Sequence, residues 1–122
     1  MRASLTPMIH VPDVRAAADW YAAIGFDVLD IGEDGVEPVF ALLGCGDGRL
    51  MLNAGGRASD APRREADLYL HATDVDALFA QIGDRAVVVE PPHDTFYGMR
   101  EFIIRDLNGF WLTFGQPTTE TP

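Results

Sequence analysis

Two histidines stand at matching places in a repeated phrase: His10-Val11-Pro12-Asp13-Val14 returns as His71-Ala72-Thr73-Asp74-Val75. An imidazole can ligate a metal, move a proton or hydrogen-bond a ligand near neutral pH. With Asp67 and Glu101, His10 and His71 supply the donor types for an unconventional metal or acid–base site. The alternative is that both rings are merely hydrogen-bonded or solvated at strand ends. Glu101 is also the acidic residue best placed to meet a cationic ligand, a surface ion pair being its plain alternative. Trp111 offers a ring face for stacking on a planar or cationic molecule, at about 0.5–2 kcal/mol, or for core packing. Phe96 and Tyr97, between Pro91-Pro92 and Gly98, are candidates for a lid over the site. His93 lies in a polar stretch and carries less weight. Cys45, in Gly-Cys-Gly-Asp with no base before Arg49, has nothing to activate its thiol.

The elements that hold these residues read as one module written twice. Leu5 to Val11 alternates as a half-buried strand, with Thr6, Met8 and His10 on one face. Asp13 is a plausible N-cap for a helix with Val14, Ala17, Ala18, Tyr21 and Ile24 on one side, ended by Gly25. Trp20 and Tyr21 belong to that packing. Strands are expected over Phe26–Ile31, Pro38–Leu43 and Arg49–Asn53, with turns at Gly32–Gly35 and Gly44–Gly48. Residues 54–64, rich in Gly, Ala, Ser, Pro and Arg, lack periodicity and read as a linker. The second copy runs from a strand at Ala66–Ala72 through a helix from Asp74 to Ile82. Strands at Ala86–Glu90, Met99–Arg105 and Phe110–Gln116 follow, the last two joined by Asp106-Leu107-Asn108-Gly109. Arg100 is expected to meet a carboxylate such as Asp106 across that turn.

The expected fold is α+β: two tandem βαβββ modules, 1–53 and 65–117, whose curled mixed sheets form a concave cavity. Strand parity directs Thr6, Met8, His10, Arg49, Met51, Asn53, Asp67, Tyr69, His71, Glu101, Ile103, Trp111 and Thr113 toward it. From these and the lid, Met8, His10, Asn53, Asp67, Tyr69, His71, Phe96, Tyr97, Glu101, Trp111 and Thr113 form the expected ligand-binding set.

Composition narrows the partners. Nineteen acidic residues face nine basic ones, every one arginine, for a net charge of −10. Nucleic acid is an unsuitable partner for such a surface and cationic small molecules are suitable ones, the plain alternative being that the acidity only keeps the protein soluble. Apolar residues make up 48% of the 122, yet no run approaches the roughly 20 needed to cross a membrane. No secretory leader is evident, so a cytoplasmic protein is expected. The lone cysteine leaves no partner for an intrachain disulfide.

The pieces Val11-Pro12-Asp13-Val14, Trp20-Tyr21 and Ile24-Gly25-Phe26, then Tyr97-Gly98-Met99-Arg100-Glu101-Phe102 running into Arg105-Asp106-Leu107-Asn108-Gly109, resemble the glyoxalase/bleomycin-resistance group of the vicinal oxygen chelate superfamily. The resemblance spans nearly the whole chain. Metal-dependent members carry a His on the first strand and a Glu on the last strand of each module. Here those positions hold Thr6, Met51, Asp67 and Thr113, of which only Asp67 is a good divalent-metal ligand. The resemblance therefore implies the metal-free, bleomycin-resistance-like branch: a dimeric protein without cofactor that sequesters a cationic or aromatic small molecule. The competing expectation is a small lyase, isomerase or dioxygenase-like enzyme using His10, His71, Asp67 and Glu101.

Overall fold

In the computed structural model, which describes residues 1–34 and 37–118, the chain divides into two compact units, Met1–Ala58 and Ser59–Pro122. The first contains β1 (Met8–His10), α1 (Val14–Ala23), β2 (Asp27–Asp34), β3 (Glu37–Cys45) and β4 (Gly48–Asn53). The second contains β5 (Asp67–His71), α2 (Val75–Ile82), a short 3₁₀ turn at Gly83–Arg85, β6 (Val87–Asp94), β7 (Met99–Arg105) and β8 (Trp111–Pro117). Each unit is βαβββ. The sheet orders are β1-β4-β3-β2 and β5-β8-β7-β6, with the first strand of each module parallel to the last and the other pairs antiparallel.

The helices form where local signals converge. Asp13 accepts a hydrogen bond from the Ala16 amide at 3.0 Å, and Asp74 accepts one from Ala77 at the same distance. Each carboxylate thereby satisfies an amide that has no partner within its helix. Gly25, at φ +117°, turns the chain out of α1 toward Phe26. The buried face of α1 is Val14, Ala17, Ala18 and Tyr21, and Tyr21 meets Trp20 and Phe26 edge-on. Unit one's core is completed by Ala41, Leu43, Leu50 and Leu52 from its sheet. Val75 and Ile82 of α2 are buried, as are Phe102, Ile104, Leu112 and Phe114 of the second sheet.

These residues alternate along the strands, and the other parity makes the open face of each sheet. In unit one the cross-strand rows on that face are Met8, Met51, Leu42 and Asp30, then His10, Asn53, Phe40 and Gly32. In unit two they are Tyr69, Thr113, Ile103 and Glu90, then His71, Gly115, Glu101 and His93.

Several boundaries differ from expectation; Gly44 and Cys45 extend β3 and Gly48 opens β4, which leaves the turn to Gly46-Asp47. The first strand is confined to Met8–His10, and Leu5 is exposed. Pro7 cannot donate to a ladder, although its carbonyl accepts from Met51. Gly32 belongs to β2 rather than to a turn. A Cβ there would come within 2.0 Å of the Phe40 ring, so only glycine lets that ring lie across β2. Gly35 falls outside the described residues. Strand β6 continues through Pro91-Pro92 to Asp94. It is an edge strand paired only with β7, where missing amides are tolerated, and a register irregularity between Glu90 and His93 accommodates the prolines.

Candidate functional site

Glu101 is the centre of the open face of unit two. It is only 4% exposed. Tyr69 donates its hydroxyl to Oε2 at 2.8 Å, and Tyr97 donates to Oε1 at 2.6 Å. Among the described residues no arginine or histidine forms an ion pair with it. Removing a carboxylate from water without a cationic partner is costly, and two neutral donors compensate only part of that cost. The phenols are tuned in return. Burial, then the hydrogen bond and charge of Glu101, push the Tyr69 phenol up to about 12. The hydrogen bond to Glu101, followed by burial, raises that of Tyr97. Both remain protonated donors at neutral pH.

A glycine makes the Tyr69 contact possible. Tyr69 is on β5 and Glu101 on β7, with β8 between them, so the phenol crosses β8 at Gly115. A Cβ at Gly115 would stand 1.9 Å from the Tyr69 oxygen. Sequence reading missed Gly115; its signal is a glycine inside a strand that otherwise packs side chains, a mark of close approach by another group.

His93 is brought to the open face beside Glu101, where the sequence offers only a polar stretch. It lies in β6 and is the register partner of Glu101. Its Nε2 is 3.2 Å from a Glu90 carboxylate oxygen, and its Nδ1 is 2.9 Å from the Pro91 carbonyl. His71 is exposed beside Tyr69, with ring centroids 5.1 Å apart. Thr113 is buried in the floor between Tyr69 and Ile103. On the Thr95–Gly98 turn Phe96 is 99% exposed, its ring edge-on to Tyr97 at 5.1 Å. Tyr97 is thus anchored to the carboxylate while Phe96 has a free aromatic surface.

Trp111 and Asp67 form the other end of this face, and both are engaged by Arg63 of the intermodule segment. The guanidinium lies 4.4 Å above the Trp111 ring centre and pairs with the Asp67 carboxylate. Trp111 Nε1 is buried without a hydrogen-bond partner among the described residues. Two further contacts tie the segment to unit two: Arg64 donates to the Asn108 carbonyl, and Arg105 donates to that of Pro62.

On the open face of unit one, Asn53 donates to Met8 Sδ at 2.9 Å. His10 Nδ1 is 3.1 Å from the Ala54 carbonyl. Met51 lies beside Met8 in register. The centre of this face is a thioether–amide pair, where that of unit two is a carboxylate–phenol cluster.

The expected Arg100–Asp106 pair is not formed. Arg100 instead bridges Asp76 of α2 at 2.9 Å and Asp94 of β6 at 3.0 Å. Asp106 turns inward, is buried, and accepts from the Asn108 and Phe110 amides at 2.8 and 2.9 Å. The Asn-Gly turn consumes the carboxylate that Arg100 would have used. Cys45 is exposed as a residue, and partial burial together with Asp27 raises its thiol pKa.

The family's metal positions do not make a divalent site. Thr6 is exposed ahead of β1, Met51 offers a thioether, Thr113 offers a neutral hydroxyl, and Asp67 is paired with Arg63. Among the described residues no three His, Cys, Asp or Glu side chains gather as a metal would require. Of the expected set, His71, Asp67 and Glu101 lie on the open face of unit two, with Asp67 paired to Arg63 and Glu101 held by Tyr69 and Tyr97, and His10 lies on the open face of unit one.

A two-module α+β domain with an open face on each sheet is the architecture of one large group of proteins. Residues 5–114 match the model of the Glyoxalase/Bleomycin resistance protein/Dioxygenase superfamily, and the chain belongs to that superfamily. Among solved structures it is similar to TioX from Micromonospora sp. ML1, at 23% identity and a TM-score of 0.75, covering 93% of this chain and 99% of that one. It is similar to a bleomycin-binding protein complexed with bleomycin, at 18% identity and a TM-score of 0.73, covering 93% and 98%. TnmS3, an antibiotic binding protein from Streptomyces sp. CB03234, aligns at 26% identity and a TM-score of 0.67, covering 96% and 98%. No curated protein sequence matches the chain. No helix among the described residues is long and apolar enough to cross a membrane.

Proposed function

We propose that this protein is a metal-independent binding protein that captures a small cationic or aromatic molecule, with sequestration of a bleomycin-type antibiotic as the concrete case. The observation that carries the reading is Glu101: a buried carboxylate held by two phenols, with no ion pair to a base among the described residues, on a face rimmed by Phe96, Tyr97 and His71. A ligand cation reaching it would supply the missing counter-charge, and the aromatic rims would cover the ligand's planar parts. The net charge of −10 favours capture of the same ligand class. The donor types at the family's metal positions and the antibiotic-binding relatives support the same reading. A cytoplasmic homodimer belongs to it, since the edges of four-stranded sheets invite pairing.

The test is thermal unfolding against bleomycin, smaller planar cations and divalent metals. A ligand at one hundred times its Kd stabilises by about 2.7 kcal/mol, several degrees for a domain of this size. A rise with bleomycin or a planar cation that Glu101→Gln abolishes is the expected result. Stabilisation by a divalent metal that is lost in His10→Ala or His71→Ala would overturn it.

A further inference from the structure

Trp111 and Asp67 have the chemistry of a receptor for a flat cation: a ring face to stack on and a carboxylate at its side. In this structure a flat cation is already there, because Arg63 lies 4.4 Å over the ring and pairs with Asp67. Arg63 comes from the segment between the two sheets, outside any strand or helix. Its side chain is 56% exposed, so little packing holds it in place. The segment has its own anchors, the Arg64 guanidinium donating to the Asn108 carbonyl and the Pro62 carbonyl accepting from Arg105. The Arg63 side chain can therefore leave without detaching the segment.

We propose that Trp111 and Asp67 form a binding site for a planar cation, of the guanidinium, amidinium or cationic heteroaromatic class, and that Arg63 is its built-in competitor. This rests on the reading of the chain as a binder of cationic or aromatic molecules and deepens it. An incoming ligand must displace a side chain tethered beside the site, so a weak single cation is excluded, whereas a ligand with a second attachment elsewhere on the face overcomes the competition. Arg63 thus acts as a selectivity filter: it keeps common amines and free arginine out of a strongly acidic protein.

The probe is benzamidine, followed by Trp111 fluorescence in a Trp20→Phe background, with the neutral isostere benzamide as control. Arg63→Ala should bind benzamidine on the order of five- to tenfold more tightly than the parent, as expected for removal of one cation–π contact and one exposed ion pair. Benzamide should show no such gain, and Asp67→Asn should cancel it. Equal or weaker benzamidine binding by Arg63→Ala, or a gain that survives Asp67→Asn, overturns the proposal. If bleomycin stabilises parent and Arg63→Ala alike while benzamidine binding is unchanged, the competitor role falls and the binding function stands. If neither molecule stabilises either protein, both fall.

Discussion

Replacing Gly115 by alanine tests whether the Tyr69–Glu101 contact is organised as described. The added Cβ would lie 1.9 Å from the Tyr69 oxygen and 2.7 Å from Cζ. The phenol must therefore lift off β8 and leave the carboxylate. A hydrogen bond to a charged group is worth about 1.5–3 kcal/mol, and here its loss leaves Glu101 with one donor. Gly115 is not among the glycines with positive φ, so alanine suits the backbone and returns about 0.5 kcal/mol through the unfolded chain. The net loss is about 1–2.5 kcal/mol. With an m-value of about 1–2 kcal/mol/M, the urea midpoint drops by roughly 1 M, readable by tryptophan fluorescence. In a Tyr69→Ala background there is no ring to displace, so the same substitution should be neutral or slightly stabilising. Ultraviolet titration adds a second readout: the Tyr69 phenol should fall from about 12 toward its ordinary value of 10 in Gly115→Ala. Equal cost in both backgrounds, or an unchanged phenol titration, would refute the reasoning.

Alkaline pH should probe the same contact, because Tyr69 and Tyr97 have raised values in the folded state; their stability contribution is complete below pH 10, and that of Tyr69 is lost as pH rises through about 12, that of Tyr97 as it rises through its own raised value. Tyr69→Phe should flatten that part of the stability–pH curve in denaturation experiments. Asp106→Ala should lower stability by about 2–3 kcal/mol in urea, since it orphans two amides of the β7–β8 turn. Arg100 holds the Asp76 carboxyl below its ordinary value, so this contribution is present above pH 3.8 and fades as pH falls through the lowered value; Arg100→Gln should remove that acid-side dependence. Cys45, its thiol raised by burial and by Asp27, should alkylate more slowly than free cysteine at mildly alkaline pH, as a thiol-reagent time course would show.

The features visible in the sequence were those decided by short-range chemistry. Asp13 and Asp74 cap helices through amides three residues on, and the alternation along β4, β5, β7 and β8 places Arg49, Met51, Asn53, Tyr69, Glu101 and Thr113 on the open faces as parity demands. What stayed hidden depends on which strands become neighbours. Nothing near Tyr69 in the sequence announces that its hydroxyl passes over Gly115 to reach Glu101. Two prolines before His93 hide its strand, because only the edge position of β6 makes a proline-bearing strand acceptable. Arg63 sits in an aperiodic stretch, so no pattern links it to Trp111. For Arg100 the sequence suggests a carboxylate across the turn such as Asp106, whereas its partners come from α2 and the end of β6.

The strict separation between the helix side and the open side of each sheet bears on how such a chain diversifies. Leu50 and Leu52, or Phe102 and Ile104, answer to packing; Met51 and Asn53, or Glu101 and Ile103, alternate with them and answer to whatever arrives from outside. The two modules share one folding recipe, while their outward residues differ. One copy now presents sulfur and amide, the other carboxylate and phenol. Exchanging the outward set of one half for that of the other would thus change what each open face presents while leaving the interior lettering of both halves intact.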